Sequence, residues 1–414
     1  MLESREAVPK LWTVLFGTLA FLWLVETVRL FWGMAELPRL ADAAPLPDAE
    51  CPIVSILVAA RDEAAGLPQA LPTLLEQDYP HYEVIVVNDR SRDATPQILD
   101  RFARKYDNLR VVHLAELPPG WIGKPHAMVR AYHQAKGEWL VFSDADVRFA
   151  PDALREVMAV AKERGWEHVN ILPHLELVGF WEKTVLSFWA LSSIVWLEPW
   201  HVSDPRSRKY FGFGALQALQ RNAYEAIGTH RRLAMEVVDD VKLGKLAKQA
   251  GLRSGVAIAG DKVSLRYLEG LKNIVRSISK SAFAACGYRA GLIAGGVFAT
   301  IVLYISPFVA VLFAPGLQRA LAAVSVLCLL VLHARGLIAV RVSPRRHTSA
   351  GRGSALLHPT AFDDRGALAR WYPVAGYVLS PRRSAEGFDV NPYLGCVCRK
   401  IILLTQPGPH WLAR

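Results

Sequence analysis

The sequence predicts an α/β domain, a parallel sheet with helices on both faces, carried on membrane-crossing helices, and three observations predict it. Between Ile53 and Ser143, short apolar strand-like runs alternate with helix-forming segments. The ends of three of these runs carry acidic residues: Asp62-Glu63, Asp89, and Asp144 with Asp146. Three further stretches are apolar over lengths sufficient to cross a bilayer.

The apolar stretches set the frame. The chain has 414 residues, 52% of them hydrophobic, and a mean hydropathy of +0.19, high for a purely soluble protein. Leu11 to Trp32 is interrupted only by Glu26 and Arg29 and can cross a hydrocarbon core of about 30 Å. No small-residue cleavage site follows it, so it reads as an uncleaved signal-anchor. Ala290 to Ala314 and Leu317 to Val340 are separated by Pro315 and Gly316, which predicts a hairpin of two spans. Arg341, Arg345, Arg346 and Arg352 follow the last span, whereas the hairpin tip holds only Arg319. By the positive-inside rule, residues 33–289 and the tail, 341–414, are expected in the cytoplasm of a multi-pass cell-membrane protein. The net charge of +10 fits this bias, and no nucleic-acid partner is expected. Five scattered cysteines, Cys51, Cys286, Cys328, Cys396 and Cys398, suggest neither a disulfide framework nor a zinc site.

Two more segments point to a membrane surface. Residues 175–200 interleave Phe180, Trp181, Phe188, Trp189, Trp196 and Trp200 with few charges, as helices in the headgroup region do. Lys272, Arg276, Lys280 and Arg289 precede the second span and suit anionic headgroups.

Within the domain, Ile53 to Ala60, Glu83 to Val87, Arg110 to Leu114 and Glu138 to Ser143 read as strands. Helices are expected at Gly66 to Gln77, Thr95 to Tyr106 and Pro125 to Lys136, giving a parallel sheet with helices on both faces. Ligands in such sheets bind beyond the carboxyl ends of the strands. Buried carboxylates there need a cation, hydrogen bonds or water. Asp144 and Asp146, one residue apart where a strand breaks, can converge on one hard cation together with a diphosphate. Asp89 can bind a nucleotide's base or ribose, or cap the helix starting near Thr95, for which Asp93 is better placed. His113, His126, His168, His174 and His201 lack metal spacing and read as structural.

With these motifs in order, residues 52–289 resemble the inverting family 2 glycosyltransferases of GT-A fold. The segment Ile56 to Glu63 resembles the family's opening strand, which implies donor contacts from Ala60, Arg61 and Glu63. Val87-Asn88-Asp89-Arg90-Ser91 is similar to the segment that holds the uridine, with Asp89 as its carboxylate. Gly120-Trp121-Ile122-Gly123-Lys124 resembles an element of lipid-directed members and implies Lys124 near the donor phosphates. Asp144-Ala145-Asp146 matches the metal-binding pair, implying manganese or magnesium with Asp146 as the direct ligand and Asp144 assisting. Gly212-Phe213-Gly214-Ala215 and the segment Arg221 to Gly228 resemble the acceptor-side strand and helix. Asp239-Asp240 is similar to the Glu-Asp motif, implying Asp240 as general base, with Asp in place of the usual Glu at 239; both also suit a helix's first turn.

Arg276 sits where processive and ceramide-type members carry Gln-x-x-Arg-Trp, of which only the Arg matches, implying a diphosphate or acceptor contact. The likeness is greatest to enzymes acting on hopanoids, carotenoid acids or ceramides. It implies a nucleotide-sugar donor, UDP-linked, and transfer to a hydroxyl or carboxyl of an apolar lipid. Two alternatives are a membrane-bound nucleotidyltransferase, which usually opens on a Gly-rich signature absent after Ile53, and a processive polysaccharide synthase.

Overall fold

The computed structural model describes residues 3–340; the tail expected to be cytoplasmic, 341–414, lies outside the described residues. The chain opens with α1 (Glu3–Glu36), one uninterrupted helix of 34 residues that contains the first apolar stretch. Next come β1 (Val54–Ala60), α2 (Leu67–Leu75), β2 (Tyr82–Asp89), α3 (Thr95–Ala103), β3 (Leu109–Leu114), α4 (Gly123–Tyr132) and β4 (Trp139–Asp144). β1 and β2 are almost wholly buried, which their continuous Val, Ile and Leu runs permit only in a sheet covered on both faces. Leu71, Leu74 and Leu99 pack on one face, and Met128, Ala131 and Tyr224 on the other.

The second half adds β5 (Val147–Phe149), α5 (Ala153–Arg164), β6 (His168–Leu172), β7 (His174–Leu175) and α6 (Ser187–Leu197). Then follow β8 (Gln217–Gln220), α7 (Arg221–Ala226), α8 (Asp239–Gln249), β9 (Ser254–Ile258), β10 (Val263–Leu265) and α9 (Gly270–Ala285). The main sheet has seven strands in the order β3-β2-β1-β4-β8-β6-β9, and β5-β10-β7 form a small second sheet. The expected parallel sheet is present in β1 to β4, which pair in parallel, while β8 runs against it, antiparallel to both β4 and β6. The chain leaves β6 at the carboxyl edge of the sheet, passes through α6 and re-enters from that same edge. A strand reached without a crossover must run backwards.

The C-terminal spans are α10 (Ala290–Thr300), a π-helical turn at Ile301–Ile305, α11 (Ser306–Phe313) and α12 (Gly316–Val340). Among the described residues, three helices are long and apolar enough to cross a membrane: Lys10–Glu36, Ala290–Phe313 and Gly316–Arg335. The π-turn lies against α1: Trp23 Nε1 donates to the Leu303 carbonyl at 3.0 Å, and the Trp23 and Tyr304 rings meet at 4.9 Å. Of the aromatic segment, Phe180 and Trp181 are exposed, whereas Phe188 packs on Tyr304 at 4.8 Å and Trp200 is buried.

The end of α1 is joined to the α/β domain by close packing and by charge. A Cβ on Gly33 would lie 2.1 Å from the Trp200 ring, so only glycine lets the helix reach that side chain. Beside it, Glu198 accepts Arg29 at 2.7 Å and Lys209 at 3.0 Å. Gly33→Val is therefore expected to cost about 1–3 kcal/mol by overpacking, seen as earlier thermal unfolding of the detergent-solubilised chain. An unchanged transition would show that this joint is loose.

Candidate active site

The site begins where parallel strands end together. Ala60 of β1 pairs in register with Asn88 of β2, so the loops after both strands leave the same edge of the sheet. Asp62 and Arg90 sit there at φ of 57° and 56°, a left-handed backbone that non-glycine residues avoid. Cross-loop hydrogen bonds hold the strained turns. Asp62 N–H donates to Ser91 Oγ (3.0 Å), Arg92 N–H to Asp62 Oδ1 (2.6 Å), Glu63 N–H to Thr95 Oγ1 (2.8 Å) and Ala64 N–H to Asp93 Oδ2 (2.9 Å). Asp93 Oδ1 also accepts from Thr95 N–H at 2.9 Å, so Asp93 rather than Asp89 serves the start of α3.

Asp89 is consequently available to the site. It is buried, and its two oxygens accept Nε and Nη2 of Arg90 at 2.7 and 3.1 Å, with Arg61 Nη1 3.7 Å away. The start of α4 abuts this carboxylate so closely that a Cβ on Gly123 would lie 2.1 Å from Asp89 Oδ2. The second glycine of Gly-Trp-x-Gly-Lys thus has a steric reason.

The next residue draws the remaining segments together. Lys124 Nζ lies 2.6 Å from Asp144 Oδ1 at the end of β4 and 3.8 Å from Asp239 Oδ1 at the start of α8. Burial opposes its charge, but Asp144, Asp239 and Asp240 outweigh this and hold its pKa above the usual lysine range. Gly212 and Gly214, expected in a strand, lie in an irregular segment wedged against these groups. A Cβ on Gly214 would come within 2.3 Å of Asp144 Oδ2, one on Gly212 within 2.0 Å of the Asp240 carbonyl, and one on Gly244 of α8 within 1.9 Å of the Phe211 carbonyl. These glycines let the segment run between β4 and the first turns of α8.

Asp239 and Asp240 open α8, and burial raises both carboxyls while Lys124 opposes the rise. Asp240 Oδ1 accepts from Val241 N–H at 2.8 Å. Asp239 Oδ2 faces His230 Nε2 at 3.8 Å. The His230 ring is fixed from behind: the Tyr224 oxygen accepts the His230 backbone N–H at 3.0 Å and lies 2.7 Å from Nδ1. A hydrogen bond donated by the Tyr224 hydroxyl to Nδ1 would leave the ring hydrogen on Nε2, facing Asp239. Burial, then Lys124, pushes His230 down to about 3, so the ring is neutral.

Ala60, Arg61, Glu63, Asp89, Lys124, Asp144, Asp146, Asp239 and Asp240 all line one cavity of about 1580 Å³. Arg276 does not; it is exposed on α9 and outside the lining. Tyr267, which no motif flags, does line it, and burial followed by Asp240, Asp144 and Asp146 pushes its hydroxyl up to about 12. The same cavity continues between the apolar helices, along Leu30, Phe31 and Met34 of α1, Phe188 and Ile194 of α6, Tyr304 of the π-turn and Leu332 of α12.

A hard divalent cation fits the oxygen donors at one end. Among the described residues no three His, Cys, Asp or Glu are grouped as a metal cage, so the chain offers the carboxylate pair Asp144 and Asp146. That number suits magnesium or manganese, which take one or two carboxylates and complete their shell with phosphate and water. Negative charge is crowded there: burial, then Asp146 and Asp144, raises Glu63 to about 7, and burial, then Asp144, raises Asp146 to about 6, with Lys124 and Arg148 opposing the latter rise. Carboxyls raised in the folded state stabilise it below their unfolded pKa, and the contribution is lost as pH climbs through about 6 to 7. Added magnesium or manganese is accordingly expected to raise the unfolding temperature more at about pH 7.5 than at about pH 5.5, where protons occupy these groups. Asp146→Asn should remove most of that difference; no thermal shift at the higher pH would contradict the assignment.

Residues 55–229 match the glycosyl transferase family 2 pattern. The beta-monoglucosyldiacylglycerol synthase of Nostoc sp. is 38% identical over 109 residues, which make up 26% of this chain and 23% of that protein. The 4,4'-diaponeurosporenoate glycosyltransferase of Staphylococcus haemolyticus is 24% identical over 230 residues, 55% of this chain and 60% of that protein. A solved mannosyltransferase of Pyrobaculum calidifontis, in complex with GDP-Man and Mn2+, aligns with a TM-score of 0.49 and 20% identity over 79% of this chain and 98% of that one. The chain spans less than a quarter of the length of the Nostoc relative it matches. The segment that supplies most of the carboxylate cluster, residues 55–229, is therefore a glycosyl transferase family 2 domain.

Proposed function

We propose that the protein is an inverting glycosyltransferase that moves a sugar from a nucleotide donor, UDP-linked, to a membrane lipid such as a hopanoid, carotenoid or sphingolipid. The observation that carries this reading is the single cavity with acidic strand ends at one side and membrane-helix side chains at the other. A water-soluble donor and an apolar acceptor need such a junction, because neither is stable in the other's solvent. The names of the Nostoc and Staphylococcus relatives, which describe enzymes acting on a diacylglycerol lipid and a carotenoid acid, support a lipid acceptor. In this reading the catalytic domain faces the cytoplasm of the cell membrane.

Asp89, fixed by Arg90 and flanked by Arg61, binds the nucleoside, and Ala60 and Glu63 border it. Bound by Asp144 and Asp146, a divalent cation supplies charge neutralisation for the diphosphate leaving group. Lys124 adds a cation that burial cannot discharge, directed to where negative charge develops. Asp240 takes the proton of the attacking acceptor hydroxyl. Backbone hydrogen bonds from Val241 and Gly214 fix the carboxylate, and its burial makes it a stronger base than a solvated carboxylate. Asp239 is held in place between Lys124 and His230. A processive polymer synthase is not favoured, because Arg276 lies off the cavity.

Asp240→Asn tests the base directly. With a hydroxyl-bearing lipid it should lose at least about a hundredfold in transfer while nucleotide affinity and unfolding temperature stay near wild type. The product's anomeric configuration, read by proton NMR, should be opposite to the donor's. An acceptor that attacks through a carboxylate needs no proton removed and would tolerate the substitution, so the variant also separates the two acceptor classes. Full activity on a hydroxyl acceptor, or retention of configuration, would overturn the reading.

A further inference from the structure

We infer that α9 and the Phe180-Trp181 hook form a binding surface for anionic phospholipid headgroups. Successive helical residues are about 100° apart, which sets Lys272, Arg276 and Lys280 on one stripe and Leu271 and Val275 on the stripe beside it. All five side chains are exposed. The other side of α9 is occupied: Ile274 is buried and Ser277 and Ser281 line the cavity, which Lys280 also borders, so Lys272 and Arg276 are the two cations wholly outside it. Helix α9 contains no acidic residue, and among the described residues none of the three cations has an ion-pair partner. This contrasts with their neighbours, since Arg266 is paired to Glu182 at 3.0 Å and Arg29 to Glu198 at 2.7 Å.

The surface is preformed by a buried carboxylate that sequence reading did not single out. Glu182 accepts Val178 N–H at 2.9 Å, Gly270 N–H at 3.1 Å and Arg266 Nη1 at 3.0 Å, tying the hook to the head of α9. Phe180 and Trp181 are 71% and 52% exposed, a cost in water that insertion at a bilayer surface would remove. Helix α10 starts at Ala290, shortly after α9 ends at Ala285, so the surface lies where a chain enters the membrane. A cation stripe beside exposed apolar and aromatic side chains at that depth fits lipids with a net negative headgroup.

The test uses the full chain reconstituted in phosphatidylcholine bilayers with trace spin-labelled phosphatidylglycerol or spin-labelled phosphatidylcholine. The fraction of motionally restricted label reports association with each lipid. The wild type should prefer the phosphatidylglycerol label several-fold at low salt and lose the preference at high salt. Lys272→Gln with Arg276→Gln should remove most of that preference, whereas Lys272→Arg with Arg276→Lys should keep it. An unchanged fraction of restricted phosphatidylcholine, which counts lipids around the spans, certifies that each variant is folded. Equal association of the two labels with wild type, or an unaltered preference in the Gln variant, would overturn the inference. No sugar transfer enters the assay, so its outcome is separate from the proposed enzymatic reading.

Discussion

The arrangement depends on one half-buried ammonium group. Lys124 keeps its charge in a partly desolvated position because Asp144 and Asp239 reach it and Asp240 adds its field. The aspartates in turn sit close together only because the lysine offsets their repulsion. Four segments, the end of β4, the start of α4, the glycine-rich 212–214 stretch and the start of α8, are thereby fixed around one point. The glycines are the steric counterpart of that charge: at positions 123, 212, 214 and 244 an added methyl would displace a carboxylate or a carbonyl.

A second constraint comes from the membrane side. Helix α1 reaches the α/β domain through Gly33 against Trp200 and through Glu198 shared by Arg29 and Lys209. The π-turn at Ile301–Ile305 leaves the Leu303 carbonyl to accept from Trp23 and places Tyr304 between Trp23 and Phe188. Together these contacts bring the apolar helices to the carboxyl edge of the sheet, where α6 completes the wall. The acidic site and the apolar passage are thus parts of one cavity rather than neighbours.

Much of this was legible from residue order. β1, β2 and β4 are continuous apolar runs, so both their burial and the position of Asp62-Glu63, Asp89 and Asp144 at their carboxyl ends follow from pattern. The spans were legible from length alone. β8 was not, because Gln217-Ala218-Leu219-Gln220 shows no run to recognise, and its direction depends on a chain path some forty residues long. β5, β7 and β10, of three, two and three residues, are too short to leave a periodic trace. At the site, the carboxylates and Lys124 stood out by position after strands or in a glycine motif. His230, Tyr224 and Tyr267 did not, since only folding brings them to Asp239 or the cavity. Arg276 was singled out by partial likeness to a five-residue motif, and the rotation of α9 turns it to the outside.

The most direct measurement is a cryo-electron microscopy structure of the full chain in a lipid nanodisc with a non-hydrolysable nucleotide-sugar and manganese. Nucleotide density between Asp89 and the Asp144–Asp146 pair, with acyl-chain density running between α1, α6 and α12 towards Asp240, is the result expected. Nucleotide bound away from these carboxylates, or a cavity closed off from the bilayer by packed side chains, would contradict the central claim.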